Sequence, residues 1–525
     1  MRLVPLLLLC QVALGYKFLV YLPSAGRSHV TFLGALADVL AEAGHEVVAL
    51  QPLFEKSIGT NGTRFSRIIE VPQCAVARAY EEKISTASGF TSNMWKAKSI
   101  VEFAANMHEF GEALGAQCVA TMEYPHLLEQ LRAEQFDVAF GETFDVCGFG
   151  IFNVIGIEKT VLTTSLGSLD GYFDITGVPS FPSYVPGPMS PFSDQMSFFE
   201  RLLNAIQIRI MLILGDFLMH PISDYLEKNH PDMPRGHAMY YNTSLIFTNT
   251  EPLIDFPKPT SHRIIEIGGI TVFSGFRPLN ATWSAILNLR PQTVLLSFGS
   301  VAKSFLMPED YKASIRDTFK KFPDVTFIWK YEKPEHNISQ GIDNLIESTW
   351  VPQNDMLQDR RLSLFITHCG AGSTMEAMTA GVPLIVIPVM GDQVRNAQMV
   401  KRSGAGVVLE KADLSTSAKL EETLRGMLSN DTYAQKAKRA ADIIKNRPFT
   451  MKEIFVRNME FVARFGPLPM LDHRGRHMSF VEYYLIDVFA FVAFIVTLVL
   501  LFAVLAIRFT LRCLFAKAMP KTKQQ

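Results

Sequence analysis

The sequence predicts an α/β protein of two open parallel sheets facing a cleft, followed by one C-terminal transmembrane helix. Three features predict it. First, the apolar run Lys17–Leu22 leads through a Gly/Ser loop, Ser24–His29, to Phe32, Leu36, Val39 and Leu40 at helical spacing, and then to a further apolar run at Glu46–Leu50. Strand, helical period and strand make a β-α-β unit, the seed of a parallel sheet. Second, a new series opens with strands at Thr293–Phe298 and Val325–Lys330 around a helix near Asp310–Phe319, and continues with strands at Leu364–Thr367 and Leu384–Pro388. Third, Val488–Ile507 is a run of twenty residues in which Thr497 is the only polar side chain. A helix of that length rises about 30 Å, the thickness of a hydrocarbon core.

The ends of the chain predict where it resides. Met1 and Arg2 precede the apolar stretch Leu3–Leu9, and Ala13-Leu14-Gly15 offers small residues for signal-peptide cleavage before Tyr16. Arg508, Arg512, Lys517, Lys521 and Lys523 follow the apolar run. The positive-inside bias therefore puts the tail in the cytosol and the bulk of the chain on the other side. A buried first strand and a buried soluble helix are the competing readings of the two apolar segments. The Lys521-Thr522-Lys523-Gln524-Gln525 terminus is similar to a dilysine retrieval signal, which implies an endoplasmic reticulum membrane and type I topology. Five sequons, at Asn61, Asn242, Asn280, Asn337 and Asn430, agree with a secretory route. The expected order is a signal peptide at 1–15, α/β halves at 16–267 and 268–484, the second with returning helices, a transmembrane helix at 485–508 and a tail at 509–525. Gly177–Pro191 reads as a long surface loop and Gly268-Gly269 as a linker.

Composition excludes several classes. A net charge of −1 gives no basic field for nucleic acid, and 48% hydrophobic residues exclude a disordered chain. Of six cysteines, Cys10 falls in the leader and Cys513 beyond the apolar run. The remaining Cys74, Cys118, Cys147 and Cys369 form no Cys-x-x-Cys pair, so neither a zinc site nor a disulfide scaffold is expected, and any bridge would be incidental.

The residues that carry chemistry lie between Trp350 and Gln393. Leu364–Thr367 reads as a buried strand ending at His368. Gly370 and Gly372 allow a tight turn, and Ser373-Thr374 lead into a helix carrying Glu376. Such a turn offers free N–H groups and the positive end of a helix dipole to an anion. His368 and the Ser373 hydroxyl add directed donors, which suits a diphosphate. Trp350, ahead of Pro352 and Gln353, supplies a flat ring for stacking, and Asp392-Gln393 suit sugar hydroxyls. The loop also nearly fits a dinucleotide fingerprint, but Met375 stands where the third glycine belongs. A nicotinamide site and a ligand-free turn are the competing readings of this loop taken alone.

Taken whole, the 44 residues from Trp350 to Gln393 resemble the signature of the UDP-glycosyltransferases, and in length and spacing their membrane-bound branch, the UDP-glucuronosyltransferases. The shared positions are Trp350-x-Pro352-Gln353, Thr367-His368-x-Gly370, Glu376, Gly381, Pro383, Pro388 and Asp392-Gln393. The likeness extends to Ser28-His29, Pro182-Ser183-Tyr184-Val185-Pro186, Phe298-Gly299-Ser300 and both ends, so it covers essentially the whole chain. It implies a GT-B fold of two Rossmann-like domains and a membrane enzyme of the detoxifying kind. Trp350 is expected to stack on uracil, and Gln353 and Glu376 to bind ribose. Gly299, Ser300, His368, Gly370 and Ser373 are expected to hold the diphosphate, and Asp392 and Gln393 the sugar. Relatives commonly carry Asn where this chain has Gly372, which leaves that position outside the expected set.

Moving a sugar onto an alcohol requires removal of the acceptor's proton, and a histidine with pKa near 6.5 suits that task. His29, read as a residue of the loop after the first strand, matches the family's base. Relatives place an aspartate after the strand equivalent to Phe136–Phe140. Here that position reads Glu142, with Asp145 three residues on. Glu142 is the expected partner of His29 and Asp145 the alternative; a helix-start acid is the bland role for either. The resemblance implies a single inverting displacement from UDP-glucuronate or UDP-glucose to a small lipophilic hydroxylated acceptor, with no cofactor and no metal. Homo- or hetero-oligomers are left open. An inactive donor-binding membrane protein is the reading from another class, and loss of His29 or its acid would be its mark.

Overall fold

A computed structural model describes residues 15–84, 94–95, 100–143, 145–167, 173–272 and 277–518. The leader through Leu14 and the lysines Lys521 and Lys523 lie outside the described residues. The chain forms two compact units, Met1–Leu471 and Asp472–Gln525.

The first unit holds two parallel sheets. The first sheet consists of β1 (Lys17–Tyr21), β2 (Glu46–Pro52), β3 (Arg67–Val71), β4 (Val138–Glu142), β5 (Thr160–Thr164), β6 (Leu245–Thr248) and β7 (Ile264–Glu266), in the order β3-β2-β1-β4-β5-β6-β7. The second consists of β8 (Gln292–Ser297), β9 (Val325–Lys330), β10 (Leu345–Ser348), β11 (Leu362–Thr367), β12 (Leu384–Val386) and β13 (Gly406–Val408), in the order β10-β9-β8-β11-β12-β13. Helices cover both faces of such sheets, which is why their central strands are continuous apolar runs such as Phe18-Leu19-Val20 and Leu364-Phe365-Ile366, all buried.

Each order reverses direction once. In the first sheet the reversal lies between β1 and β4, and in the second between β8 and β11. At such a switch point the loops leaving neighbouring strands diverge, and a crevice opens beyond the carboxyl ends. The segments after β1 and β4 and those after β8 and β11 are therefore the ones placed to bind.

Two exchanges tie the sheets together. The helix Met451–Phe465, started by a Thr450–Glu453 capping box, returns to the first sheet, where Phe455 meets Phe247 and Phe140 at ring separations of 4.9 and 6.4 Å. In the opposite direction, Met94 and Trp95 are buried in the core of the second sheet. Trp95 stands edge-on to Phe298 at 5.0 Å and donates from Nε1 to the Lys303 carbonyl at 3.1 Å. The Gly268-Gly269 segment is packed rather than slack: Gly268 donates to the Thr250 carbonyl at 2.9 Å, and an added Cβ would lie 2.4 Å from that carbonyl. A disulfide, Cys118–Cys147, joins the helix Ile100–Met122 to the helix Cys147–Val154. The cysteine spacing had given no reason to expect that pair.

In the second unit the helix Ile486–Ala518 contains a 30-residue candidate span, Ile486–Phe515, within which an 18-residue window reaches a mean hydropathy of 3.1. It begins one residue inside the expected 485–508 and runs seven residues beyond its C-terminal end. Within it the Thr497 and Thr510 hydroxyls donate to the carbonyls one turn back, Ala493 and Ala506, both at 2.8 Å. That satisfies the polar groups internally, as a lipid environment requires.

Trp95 is 2% exposed, and its removal leaves a large cavity beside the loop after β8. Trp95→Ala should lower the stability of the detergent-solubilised protein by about 3–5 kcal/mol in chemical denaturation, with Trp95→Phe costing much less. Equal stability of all three proteins would show that the exchange does not hold the second core.

Candidate active site

The crevice of the first sheet is built by neighbouring strands. β1 ends at Tyr21, and the chain turns through Gly26 into the helix α1 (Arg27–Glu42). His29 is thus the third residue of that helix rather than a loop residue. Gly26 has φ +74°, and an added Cβ would fall 2.9 Å from His29 Cδ2, so the turn needs glycine both for its backbone and for the ring beside it. Glu142 is the last residue of β4, paired beside β1. Its Oε2 lies 2.9 Å from His29 Nδ1, and its Oε1 accepts from the Ser165 N–H at 2.6 Å. The Ser165 hydroxyl, just past β5, stands 3.0 Å from the same Nδ1.

Electrostatics follow from this packing. Burial alone would depress the pKa of His29, but the charge and hydrogen bond of Glu142, with help from Asp392 and Glu55, more than reverse it, and the pKa is raised. Burial works against the Glu142 carboxylate too, and His29 and Ser165 hold its pKa below the ordinary value. Asp145, the alternative acid, is turned elsewhere. Its Oδ1 accepts from the Cys147 N–H at 2.7 Å at the start of the helix Cys147–Val154, and burial pushes its carboxyl up to about 7.

The crevice of the second sheet gathers the other expected residues in four groups. Trp350 is 55% exposed, with Lys330 and Arg27 beside its ring at 5.9 and 4.6 Å from the centroid. Next, Gln353 Nε2 donates to Glu376 Oε2 at 2.7 Å and to the Ser373 hydroxyl at 3.0 Å. Ser373 is therefore grouped with the two residues expected at the ribose. Burial raises Glu376 to about 7 against the Gln353 bond.

His368 follows β11 and is enclosed by two glycines: an added Cβ would come within 2.6 Å of its ring at Gly299 and 2.8 Å at Gly370. Burial, with the charge of Lys330, depresses its pKa to about 4, so the ring is neutral at pH 7. The fixed cation there is Lys330, whose ammonium donates to the Gly299 carbonyl at 2.8 Å and to Glu332 at 2.9 Å. Ser300 is exposed on the same loop, and Gly370 is the N-cap of the helix Ala371–Ala380. Gly372 faces open space, with nothing within 4 Å of an added Cβ.

Asp392 starts the helix Gln393–Ser403. Its Oδ2 accepts from Asn396 Nδ2 at 2.7 Å, and that amide also donates to the Cys369 carbonyl at 3.0 Å. Burial raises the Asp392 carboxyl, opposed by Asn396 and by the charge of His29. The sheets thus meet electrostatically between the expected base and the expected sugar ligand. Gln393 turns its carbonyl to the backbone N–H groups of Val389 and Met390, at 2.8 and 3.1 Å. It is consequently a donor toward any ligand, where the sequence had allowed it both roles. Ser165, Lys330 and Asn396 were not anticipated. Only the position of Ser165 just past a central strand could have singled one of them out.

Comparison with known proteins identifies the family and the fold. Residues 17–523 match the family described as "UDP-glucoronosyl and UDP-glucosyl transferase". "Putative UDP-glucuronosyltransferase ugt-47" of Caenorhabditis elegans is 28% identical over 494 residues, covering 92% of this chain and 91% of its own. "UDP-glucuronosyltransferase 1A10" of Homo sapiens is 28% identical over 508 residues, covering 94% and 91%. Among solved structures, the glycosyltransferase VinC in complex with DTDP superposes with a TM-score of 0.56 at 16% identity, covering 86% of this chain and all of that one. The chain belongs to the UDP-glycosyltransferase family and has its GT-B fold.

Proposed function

We propose that the protein transfers a hexose, with inversion at the anomeric carbon, from a UDP-sugar to a hydroxyl of a small lipophilic acceptor. The observation that carries this reading is the pair of half-buried His29 and buried Glu142 at the first switch point, in electrostatic reach of Asp392 on the second sheet. With Nδ1 held by Glu142, Nε2 is the nitrogen that takes the acceptor's proton. The acceptor oxygen forms a bond to the anomeric carbon as the carbon–oxygen bond to the diphosphate breaks, and UDP leaves with the electron pair. The charge on UDP is met by the amino end of the helix Ala371–Ala380, by a hydrogen bond from neutral His368 and by the Lys330 ammonium. Gln353 and Glu376 take the ribose, Trp350 the uracil, and Asp392 and Gln393 the hexose.

UDP-glucuronate is our first choice of donor, because the relatives bear that activity in their names. UDP-glucose is the second, favoured by one observation. Arg395, on the same helix as Gln393, is committed to Asp255 at 2.7 Å with both side chains 3% exposed, so it is not offered to a sugar carboxylate. We place the protein in the endoplasmic reticulum membrane with both α/β halves, from residue 16 onward, lumenal. The Cys118–Cys147 disulfide and the exposure of all five sequon asparagines support an oxidising secretory compartment.

His29→Ala should lower transfer by at least about 10²–10⁴-fold while titration still shows UDP binding. Glu142→Gln should cut turnover strongly at unchanged donor affinity, and Asp145→Asn should cut it less. Loss of UDP binding in His29→Ala, or the opposite ranking of the two acids, would contradict these roles.

Asp392 accepts hydroxyl hydrogen bonds as a charged group, worth about 1.5–3 kcal/mol each. Asp392→Asn should therefore reduce transfer efficiency about 10- to 150-fold, while inhibition by free UDP, which lacks the hexose, stays the same. Full activity of Asp392→Asn with every donor would place the sugar elsewhere.

A further inference from the structure

Two cations from opposite sheets converge on Trp350. Lys330, at the end of β9, has its counter-ion in Glu332, 2.9 Å away. Arg27, from the first sheet's side, has none: its Nη1 donates to the Ile58 carbonyl at 3.0 Å, its guanidinium carbon lies 4.6 Å from the Trp350 ring centre, and it pairs with no carboxylate among the described residues. Its place in the fold is also electrostatically adverse. Arg27 is the first residue of a sixteen-residue helix, where the macrodipole already presents positive charge and an acidic residue would be stabilising. A cation placed there, unpaired and beside a second cation, raises the potential of the crevice for an anion.

We infer that Arg27 is a donor-binding residue contributed by the first sheet, meeting the diphosphate of the nucleotide sugar whose base is held at Trp350. The inference rests on the proposed UDP-sugar site. A guanidinium is suited to it, because its planar fork can give two parallel hydrogen bonds to phosphate oxygens while its face stays against an aromatic ring. Arg27 precedes His29 by two residues in the first turn of α1. A donor that fixes Arg27 therefore also fixes the turn that carries the proposed base, and couples donor binding to acceptor activation.

The test is titration of UDP, UMP and uridine into the detergent-solubilised full chain, comparing wild type with Arg27→Met and Arg27→Lys. Arg27→Met should weaken UDP about tenfold, UMP less, and uridine less than twofold, with the difference shrinking at high salt; Arg27→Lys should recover part of the loss. In turnover, KM for the UDP-sugar should rise by a larger factor than kcat falls. Retained uridine binding reports that the variant is folded. Equal weakening of all three ligands would show that Arg27 only covers the base, and unchanged UDP affinity would remove it from the donor site. Failure of the wild-type protein to bind UDP would overturn the donor-site reading itself.

Discussion

A buried carboxylate needs a partner, and in this fold that need fixes the proposed active site. Glu142 is 6% exposed at the end of a central strand, where an unpaired charge would be prohibitively costly. Parallel pairing of β1 with β4 brings the start of α1 beside it, and His29 supplies the compensating donor. Ser165, past the next strand, satisfies the second oxygen. The three contributions come from three adjacent strand ends, so the geometry is a property of the sheet rather than of any flexible loop.

The second sheet repeats the arrangement with the opposite outcome. His368 stands at its switch point as His29 stands at the first, yet one imidazole is raised in pKa and the other depressed to about 4. The difference lies in the neighbours. Glu142 faces His29, whereas Lys330 and two close glycine backbones face His368. Environments that push two like groups apart in pKa suit them to different work: His29 to the proposed role of proton acceptor near neutral pH, and His368, which stays neutral, to the proposed role of hydrogen-bond donor. A diphosphate bound beside His368, as proposed, would then find its fixed charge elsewhere, and the buried Lys330 ammonium is nearby.

Much of this was legible in the sequence. The alternation of apolar runs and helical periods gave both sheets, and Val325–Lys330 coincides with β9 to the residue. The Trp350–Gln393 residues fall into the crevice of the second sheet because their spacing follows strand, turn and helix lengths, which are local. What escaped was non-local. Ser165 is 136 residues from His29 in the chain, and Trp95 is 208 from Lys303. The Cys118–Cys147 pairing depends on which helices pack together, which no spacing records. Lys330 read as an ordinary strand end, since nothing in Trp329-Lys330 announces that its ammonium turns inward to a glycine carbonyl 31 residues away. The choice between Glu142 and Asp145 likewise needed coordinates, because three residues separate a strand end from a helix start.

The central claim is that Glu142 sets the protonation of His29, and the pH dependence of kcat/KM tests it most directly. As the proposed base, His29 would work as neutral imidazole, and its pKa is raised by Glu142 against the depressing effect of burial. Activity of the wild-type protein should therefore rise with pH along an acid limb centred above about 6.5, the ordinary histidine value. In Glu142→Gln the burial remains and that carboxylate is gone, with only Asp392 and Glu55 left to oppose burial, so the limb should move to lower pH and its plateau should fall. An acid limb at the same pH in both proteins would contradict the account.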